Sequence, residues 1–196
     1  EEWKYTDVSP IVKQNFTPAV NSVSEKFTKE QINKFLFKDF DCHLLVFVNG
    51  IFSEGLSSIG DLPKGAAVGS LRKLSNENPS VIDSYIGKLS KIDNAFNALN
   101  TAYAADGLVV VVPAGEIIEK PIQVLYLSSS ANGTVLTSPR NLIVVGKNSQ
   151  ASVIANYRGA SEKTYLNNIV TEIFVGENAL VNLYKIQNET DEAYHI

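Results

Sequence analysis

The chain has 196 residues, of which 44% are hydrophobic and 19% charged, so it is long enough and apolar enough to bury a sizeable core. Its formal net charge of -4 argues against a nucleic-acid partner, because phosphate binding needs a clustered basic surface. The apolar runs are far shorter than the roughly 20 residues that span a bilayer, so the sequence predicts no membrane segment.

The first 27 residues show no sustained period and predict an irregular leader, with one short helical turn near Ser9 and Pro10. Thr28 and Gln31 then stand at the spacing of a capping box, in which each side chain bonds the backbone of the other residue. Apolar residues follow at helical spacing. The pattern therefore predicts a short amphipathic helix over 29–39.

A hairpin and a loop are predicted next. Asn49 and Gly50 separate two apolar runs, and this dipeptide favours the type I′ turn of a β-hairpin, which needs positive φ at both residues. The stretch 55–77 is rich in Gly and Ser and predicts a loop that crosses the surface.

Two helices are predicted before the chain changes character. Asn78 precedes Pro79 and predicts the start of the first, because asparagine caps helices and proline suits the first helical position. Asp93 predicts the start of the second helix. Its apolar stripe ends before Gly107, where glycine would close the helix in a left-handed conformation.

The second half of the chain repeats itself at an offset of 30 residues. Gly146 and Asn148 match Gly176 and Asn178, each in a V-G-x-N turn with an apolar strand before and after it, and residues 113–116 form a looser copy. Repeated strands without helices favour a β-solenoid. At about 3.3 Å per residue, one 30-residue coil would hold two strands plus turns. The alternative is an antiparallel meander or sandwich, since V-G-x-N also suits a hairpin.

These patterns predict a mainly β fold, a flattened parallel β-helix with two strands per coil that follows a small α+β segment. Residues 1–105 would form the lead-in segment with the hairpin and the capping helices. Residues 106–196 would form the first coils.

Few residues suggest chemistry. Cys42 and His43 are adjacent, but neighbours on an extended chain point to opposite faces, and a zinc or iron–sulfur site uses several convergent ligands. His195 is the only other histidine, and a single cysteine excludes an internal disulfide and fits a reducing compartment. We therefore expect a buried thiol beside a surface imidazole, with no metal, cofactor or catalytic residues.

Charged residues are scattered through the predicted coils. Some β-helical proteins act on polysaccharides with clustered carboxylates, and this function is the alternative to a scaffold. No acidic ladder repeats here, so we expect solvated turn charges. The residues concerned are Glu116, Glu119, Glu172, Glu177, Arg140 and Arg158.

Several longer stretches resemble the SufB/SufD family of iron–sulfur cluster assembly proteins over nearly the whole chain. The stretches are EEWKYTDVSP (1–10), LVFVNGIFSEGLS (45–57), NAFNALNTAYAADGLVVVVPAGEIIEKPIQVLYL (94–127), PRNLIVVGKNSQASVIANY (139–157) and NNIVTEIFVGENALVNLYKIQNE (167–189). The most specific is the helix-to-strand passage at 94–127. The opening stretch and the absence of cysteines from the coils are more similar to SufD than to SufB.

The resemblance implies a right-handed parallel β-helix and a non-catalytic scaffold subunit. It implies SufB-like and SufC-like partners, with ATP hydrolysis assigned to SufC, and leaves open a homodimer. The iron–sulfur cluster would belong to the assembled complex, in the cytoplasm or a plastid, and we expect the cytoplasm. The family's ligand positions match no residue of this chain. The runner-up function is a β-helical carbohydrate-active or adhesin-like protein.

The sequence contains no methionine and reads as a fragment of a longer protein. On that reading the last coil would leave apolar residues and strand edges uncovered. We therefore expect residues 176–196 to mediate self-association.

Overall fold

The computed structural model describes residues 6–19, 26–77, 79–129 and 133–196. Its α-helices are α1 (Ser9–Val12), α2 (Lys29–Asn33), α3 (Leu71–Glu77), α4 (Pro79–Tyr85) and α5 (Ala95–Tyr103), and a 3-10 helix spans Glu54–Leu56. The early strands are β1 (Phe16–Pro18), β2 (His43–Val48), β3 (Ile51–Phe52) and β4 (Ala67–Ser70). The later strands are β5 (Leu108–Val112), β6 (Ile122–Ser128), β7 (Thr134–Thr137), β8 (Arg140–Val145), β9 (Gln150–Gly159), β10 (Tyr165–Asn167), β11 (Val170–Val175), β12 (Leu180–Asn188) and β13 (Ala193–His195).

The later strands enter three sheets in rotation. One sheet has the order β1-β7-β10-β13, the second β11-β8-β5-β4, and the third β12-β9-β6-β2-β3. From β5 to β10 each strand pairs in parallel with the strand three positions later in the chain. The described chain is therefore a mixture of helices with parallel and mixed sheets, in which these sheets do not close into a barrel.

The 30-residue offset is confirmed by the register. Leu142 pairs with Glu172 and Val153 pairs with Leu183, each exactly one period apart in sequence. Strands β8 and β9 lie in different sheets, so the antiparallel hairpin that we kept as an alternative is wrong for this segment. The repeat holds three strands where we predicted two. The third is short, three or four residues in β7, β10 and β13, and periodicity does not resolve so short a strand.

Glycine and asparagine have separate roles in the V-G-x-N turns. Asn148 and Asn178 adopt the left-handed conformation, with φ of 56° and 55°. Gly146 and Gly176 are needed because successive turns stack closely. A Cβ atom at Gly176 would lie 2.6 Å from the backbone nitrogen of Lys147.

The lead-in elements confirm several predictions. The capping box at Thr28 is present, although α2 ends at Asn33, earlier than predicted, and the hairpin between β2 and β3 has Asn49 and Gly50 at φ of 49° and 77°. The helical turn predicted near Ser9 is α1. The predicted cap Asn78 lies outside the described residues.

Three predictions in the lead-in are wrong. The predicted loop 55–77 contains β4, which pairs antiparallel with β5, and α3, because pairing with a buried strand overrides the weak local preference of a Gly-rich stretch. Asn94, not Asp93, caps α5: its side chain accepts a hydrogen bond from the backbone of Asn97 at 2.9 Å. Gly107 is not left-handed. It is needed because a Cβ atom there would lie 2.0 Å from the carbonyl oxygen of Arg140.

Apolar side chains fill the space between the second and third sheets. Other apolar side chains cover the outer faces of these two sheets. The main cluster joins inward residues of the second and third sheets, among them Phe47, Val110 and Ile143. Ile32 of α2 packs on the outer face of the third sheet, and Ile82 of α4 packs on the outer face of the second. The helices of the lead-in therefore cover the sheets that the later strands build.

Candidate functional site

Cys42 and His43 contact different residues. We expected the thiol to be buried and the imidazole to lie at the surface, and this expectation is wrong. His43 is the buried residue, and its Nδ1 accepts a hydrogen bond from the backbone of Gly60 at 3.2 Å. Cys42 is half-buried, and its thiol lies 3.6 Å from the side-chain oxygen of Gln123. Burial lowers the pKa of His43 and raises the pKa of Cys42, so both favour their neutral forms. Alternation along the start of β2 places the imidazole inside.

No three His, Cys, Asp or Glu side chains converge closely enough to hold a metal ion within the ranges that the structure describes. Likewise, none of the helices in those ranges is long and apolar enough to cross a membrane.

Some of the scattered charges behave as solvated turn charges. Lys147 and Glu177 occupy equivalent turns, and their side chains form an exposed ion pair of 2.7 Å. Glu119 is also exposed, whereas Arg158 is half-buried and its Nε donates to Asn156 at 2.9 Å. The expectation of solvated charges therefore holds for Glu119 and Glu177, whereas Glu116 and Arg158 are half-buried.

Arg140 and Glu172 are the clear exceptions. Their side chains form an ion pair of 2.8 Å, and only 8% of the arginine side chain and 1% of the glutamate side chain are exposed. Our expectation of solvated charges is wrong here because both side chains point from the second sheet into the layer below the helices. Charged side chains are rarely buried unless they are paired.

The Glu172 carboxylate also anchors the loop between α4 and α5. It accepts backbone hydrogen bonds from Gly87, Leu89 and Ser90 at 2.8, 2.9 and 3.2 Å. Burial alone would raise the pKa of Glu172, but these three bonds and the bond from Arg140 together lower it below its usual value. We call this arrangement the Glu172 anchor.

Helix α5 joins the Glu172 anchor through polar side chains. Arg140 donates to Thr101 at 3.2 Å and to Asn100 at 3.4 Å. The Asn100 amide donates to the carbonyl oxygens of Pro139 and Asn168, and the Asn168 amide donates to the carbonyl oxygen of Phe96. The helix is thus held against the sheets by buried polar contacts.

Asp106 is a second buried carboxylate that sequence reasoning missed. It accepts hydrogen bonds from the hydroxyl of Ser70 at 2.7 Å and from the backbones of Phe52 and Arg72 at 3.1 Å. These contacts join β3, α3 and the start of β5. The Asp-Gly pair before a β-branched run was the available signal, and we read it only as a helix end.

A third set of interacting polar side chains lies in the last repeat. We call this set the inner cluster. The Nδ1 of His195 lies 2.6 Å from the carboxylate of Glu189, and the Asn167 amide donates to that same carboxylate. The His195 ring packs edge-on to Tyr157, and the Lys185 ammonium lies 5.6 Å from the centre of the Tyr157 ring. Burial lowers the pKa of Lys185, and the Glu189 carboxylate partly restores it.

The inner cluster follows a column of aromatic residues. Phe47, Tyr126 and Tyr157 stack with ring centres 5.2 and 4.8 Å apart, one residue from each of three paired strands. The register places Gln187 next in this column. The aromatic column therefore ends at a polar, exposed residue in the last repeat. Reading the period residue by residue past Val153 would have shown this change.

Comparison with known proteins places these features in a family. Residues 1–124 match the family model described as the SufBD protein N-terminal region, and residues 126–196 match the model described as SUF system FeS cluster assembly, SufBD core domain. The chain belongs to the SufB/SufD family. The resemblance seen in the sequence is thereby confirmed.

The alignments with individual SufB/SufD relatives cover a larger share of this chain than of the relatives. It is 31% identical over 204 residues to an iron-sulfur cluster assembly SufBD family protein of Synechocystis, matching 100% of the chain and 44% of the relative. It is 25% identical over 202 residues to Protein ABCI7, chloroplastic, of Arabidopsis thaliana, of which it covers 41%. The iron-sulfur cluster assembly protein SufD of Bacillus subtilis is 28% identical over 128 residues, 64% of the chain and 29% of that protein. The chain thus spans less than half the length of these relatives.

Proposed function

We propose that the protein is a SufD-like scaffold subunit of the SUF iron–sulfur cluster assembly complex, which pairs with SufB-like and SufC-like proteins. The carrying observation is that the two SufBD family models follow one another along the chain, and that the second is described by the SUF system. The relative from Bacillus subtilis, named SufD, supports the SufD assignment.

A non-catalytic role agrees with how the buried charges are used. The carboxylates of Glu172 and Asp106 are occupied by backbone and side-chain donors that join helices to strands. We propose that ATP hydrolysis belongs to the SufC-like partner and that the iron–sulfur cluster is cargo of the assembled complex. Elemental analysis of the purified chain should then find no stoichiometric iron or zinc.

For the architecture, we propose that the rotating strands are the first coils of a right-handed parallel β-helix. The division into a lead-in segment over 1–105 and coils over 106–196 is part of the same proposal. The parallel pairing of β8 with β11 and of β9 with β12 at the 30-residue offset supports it. For the location we propose the cytoplasm, although the Arabidopsis relative is named as chloroplastic.

Co-purification tests the proposed function. The natural full-length protein, tagged and co-expressed with SufB-like and SufC-like proteins, should retain both through size-exclusion chromatography. Retention of neither partner would refute the proposal. Cleavage of a glycan by the purified protein alone would instead support the carbohydrate-active alternative.

A further inference from the structure

The loop between α4 and α5 exposes apolar and basic side chains at neighbouring positions in sequence. Leu89 and Ile92 are 52% and 65% exposed, and Lys88 and Lys91 are exposed next to them. Neither lysine forms an ion pair with any residue that the structure describes. We call residues 88–92 the basic loop.

The backbone of the basic loop is held firmly although its side chains face solvent. The Glu172 carboxylate binds the backbone nitrogens of Leu89 and Ser90, and the Asn97 amide donates to the carbonyl oxygen of Lys91 at 2.9 Å. Gly87, at φ of 73°, makes the turn that directs these nitrogens toward Glu172. A loop ordered before binding loses little conformational freedom when a partner docks.

Charge and shape together define what such a loop would fit. The exposed side chains of Leu89 and Ile92 would suit an apolar pocket, and the two ammonium groups without an ion pair favour carboxylates at its rim. The nearest acidic residue in sequence, Asp93, lies within hydrogen-bonding distance of the Asn94 and Asn97 side-chain amides. Its carboxylate is therefore engaged beside the loop.

We propose that the basic loop docks into an apolar pocket rimmed by carboxylates on a protein subunit of the complex. This inference rests on the proposed function, because it takes the partner from the SUF complex. A protein is favoured over an anionic membrane, since recognition of anionic lipid uses clusters of about four to eight basic residues and this loop has two.

The experiment compares variants of the natural full-length protein in the same co-purification with SufB-like and SufC-like proteins. Leu89→Ser with Ile92→Ser, and separately Lys88→Glu with Lys91→Glu, should each reduce retention of one partner about tenfold. Raising the salt concentration should also reduce the retention of that partner by the wild-type protein. Val12→Ser is the matched control, because Val12 is 77% exposed on α1. Circular dichroism confirms that each variant is folded.

The outcomes separate the two proposals. If the wild type retains its partners and both loop variants retain them equally well, the docking inference is wrong and the scaffold function stands. If the wild type retains no partner, both are wrong. Flotation with phosphatidylserine vesicles that is lost in the loop variants, while partner retention is unchanged, would assign the loop to a membrane and overturn the inference.

Discussion

The guanidinium of Arg140 and the carboxylate of Glu172 lie 2.8 Å apart on neighbouring parallel strands, both almost completely withdrawn from water. The two residues are brought together by the repeat, since Arg140 opens β8 and Glu172 lies within β11. Helix α5 and the loop that joins α4 to α5 both form hydrogen bonds with this pair. This pair therefore attaches α5 and the loop before it to the second sheet.

Removing one partner of the pair should destabilise the protein strongly. Arg140→Ala leaves Glu172 buried without its counter-charge, and breaking a buried pair in this way costs about 3–5 kcal/mol. Urea denaturation followed by circular dichroism measures the free energy of unfolding. Lys147→Ala is the matched control, because it breaks an exposed ion pair of similar length, 2.7 Å, and should cost less than about 1 kcal/mol. Similar losses for both variants would contradict the prediction.

Acid should weaken the Glu172 anchor. The pKa of Glu172 is lowered in the folded protein, so its contribution is fully present above the unfolded value of about 4.3 and is lost as the pH falls toward the folded value. The free energy of unfolding of the wild type should therefore drop more steeply below about pH 4.3 than that of Glu172→Gln. Urea midpoints measured across this range test the difference. Parallel curves for the two proteins would show that Glu172 titrates normally.

Gly107 should tolerate no side chain. A Cβ atom there would lie 2.0 Å from the Arg140 carbonyl oxygen, so Gly107→Ala must push β5 away from β8. We expect a loss of about 3 kcal/mol or failure to fold, because backbone atoms cannot move aside as flexible side chains do. Gly55→Ala is the control, since a Cβ at Gly55 meets nothing within 4 Å. Thermal denaturation of both variants makes the comparison, and equal melting temperatures would sink the idea.

The 196-residue chain should self-associate through its last strands. Leu180, Leu183 and Tyr184 are exposed on β12, whose outer edge pairs with none of the described strands. An exposed apolar edge strand is a template for pairing with another copy. Light scattering at high protein concentration should show dimers or larger species, reduced by Leu180→Lys with Tyr184→Lys. The exposed control Val12→Lys should leave the association unchanged, and a clean monomer for the wild type would refute the prediction.

Sequence reasoning predicted those features that local chemistry determines. The capping box at Thr28 and the turn at Asn49 each need particular residues within four positions, so each can be recognised in isolation. The 30-residue period was visible because Asn148 and Asn178 recur in turns of the same geometry. Such signals do not depend on what lies across the fold.

The features that sequence reasoning missed depend on distant contacts. Strand β4 forms because β5 offers it an edge, and Gly107 is required by the carbonyl of a residue 33 positions later. Glu172 resembles any other turn charge until the loop after α4 is seen to fold onto it. The inner cluster likewise requires knowing that Glu189 and His195 meet, which the spacing of six residues does not reveal.

The antiparallel strands β3 and β4 give the stack of repeats a fixed origin. Each lies at the edge of its sheet and runs antiparallel to its neighbour, so the run of parallel pairings in that sheet ends there. A further repeat of the same pattern would add its strands at the opposite edge of each sheet, about 4.8 Å beyond the last strand. The length of the stack of strands is therefore set by the whole number of repeats. Duplication or deletion of one 30-residue unit would change this length by one step and leave the helices of the lead-in undisturbed.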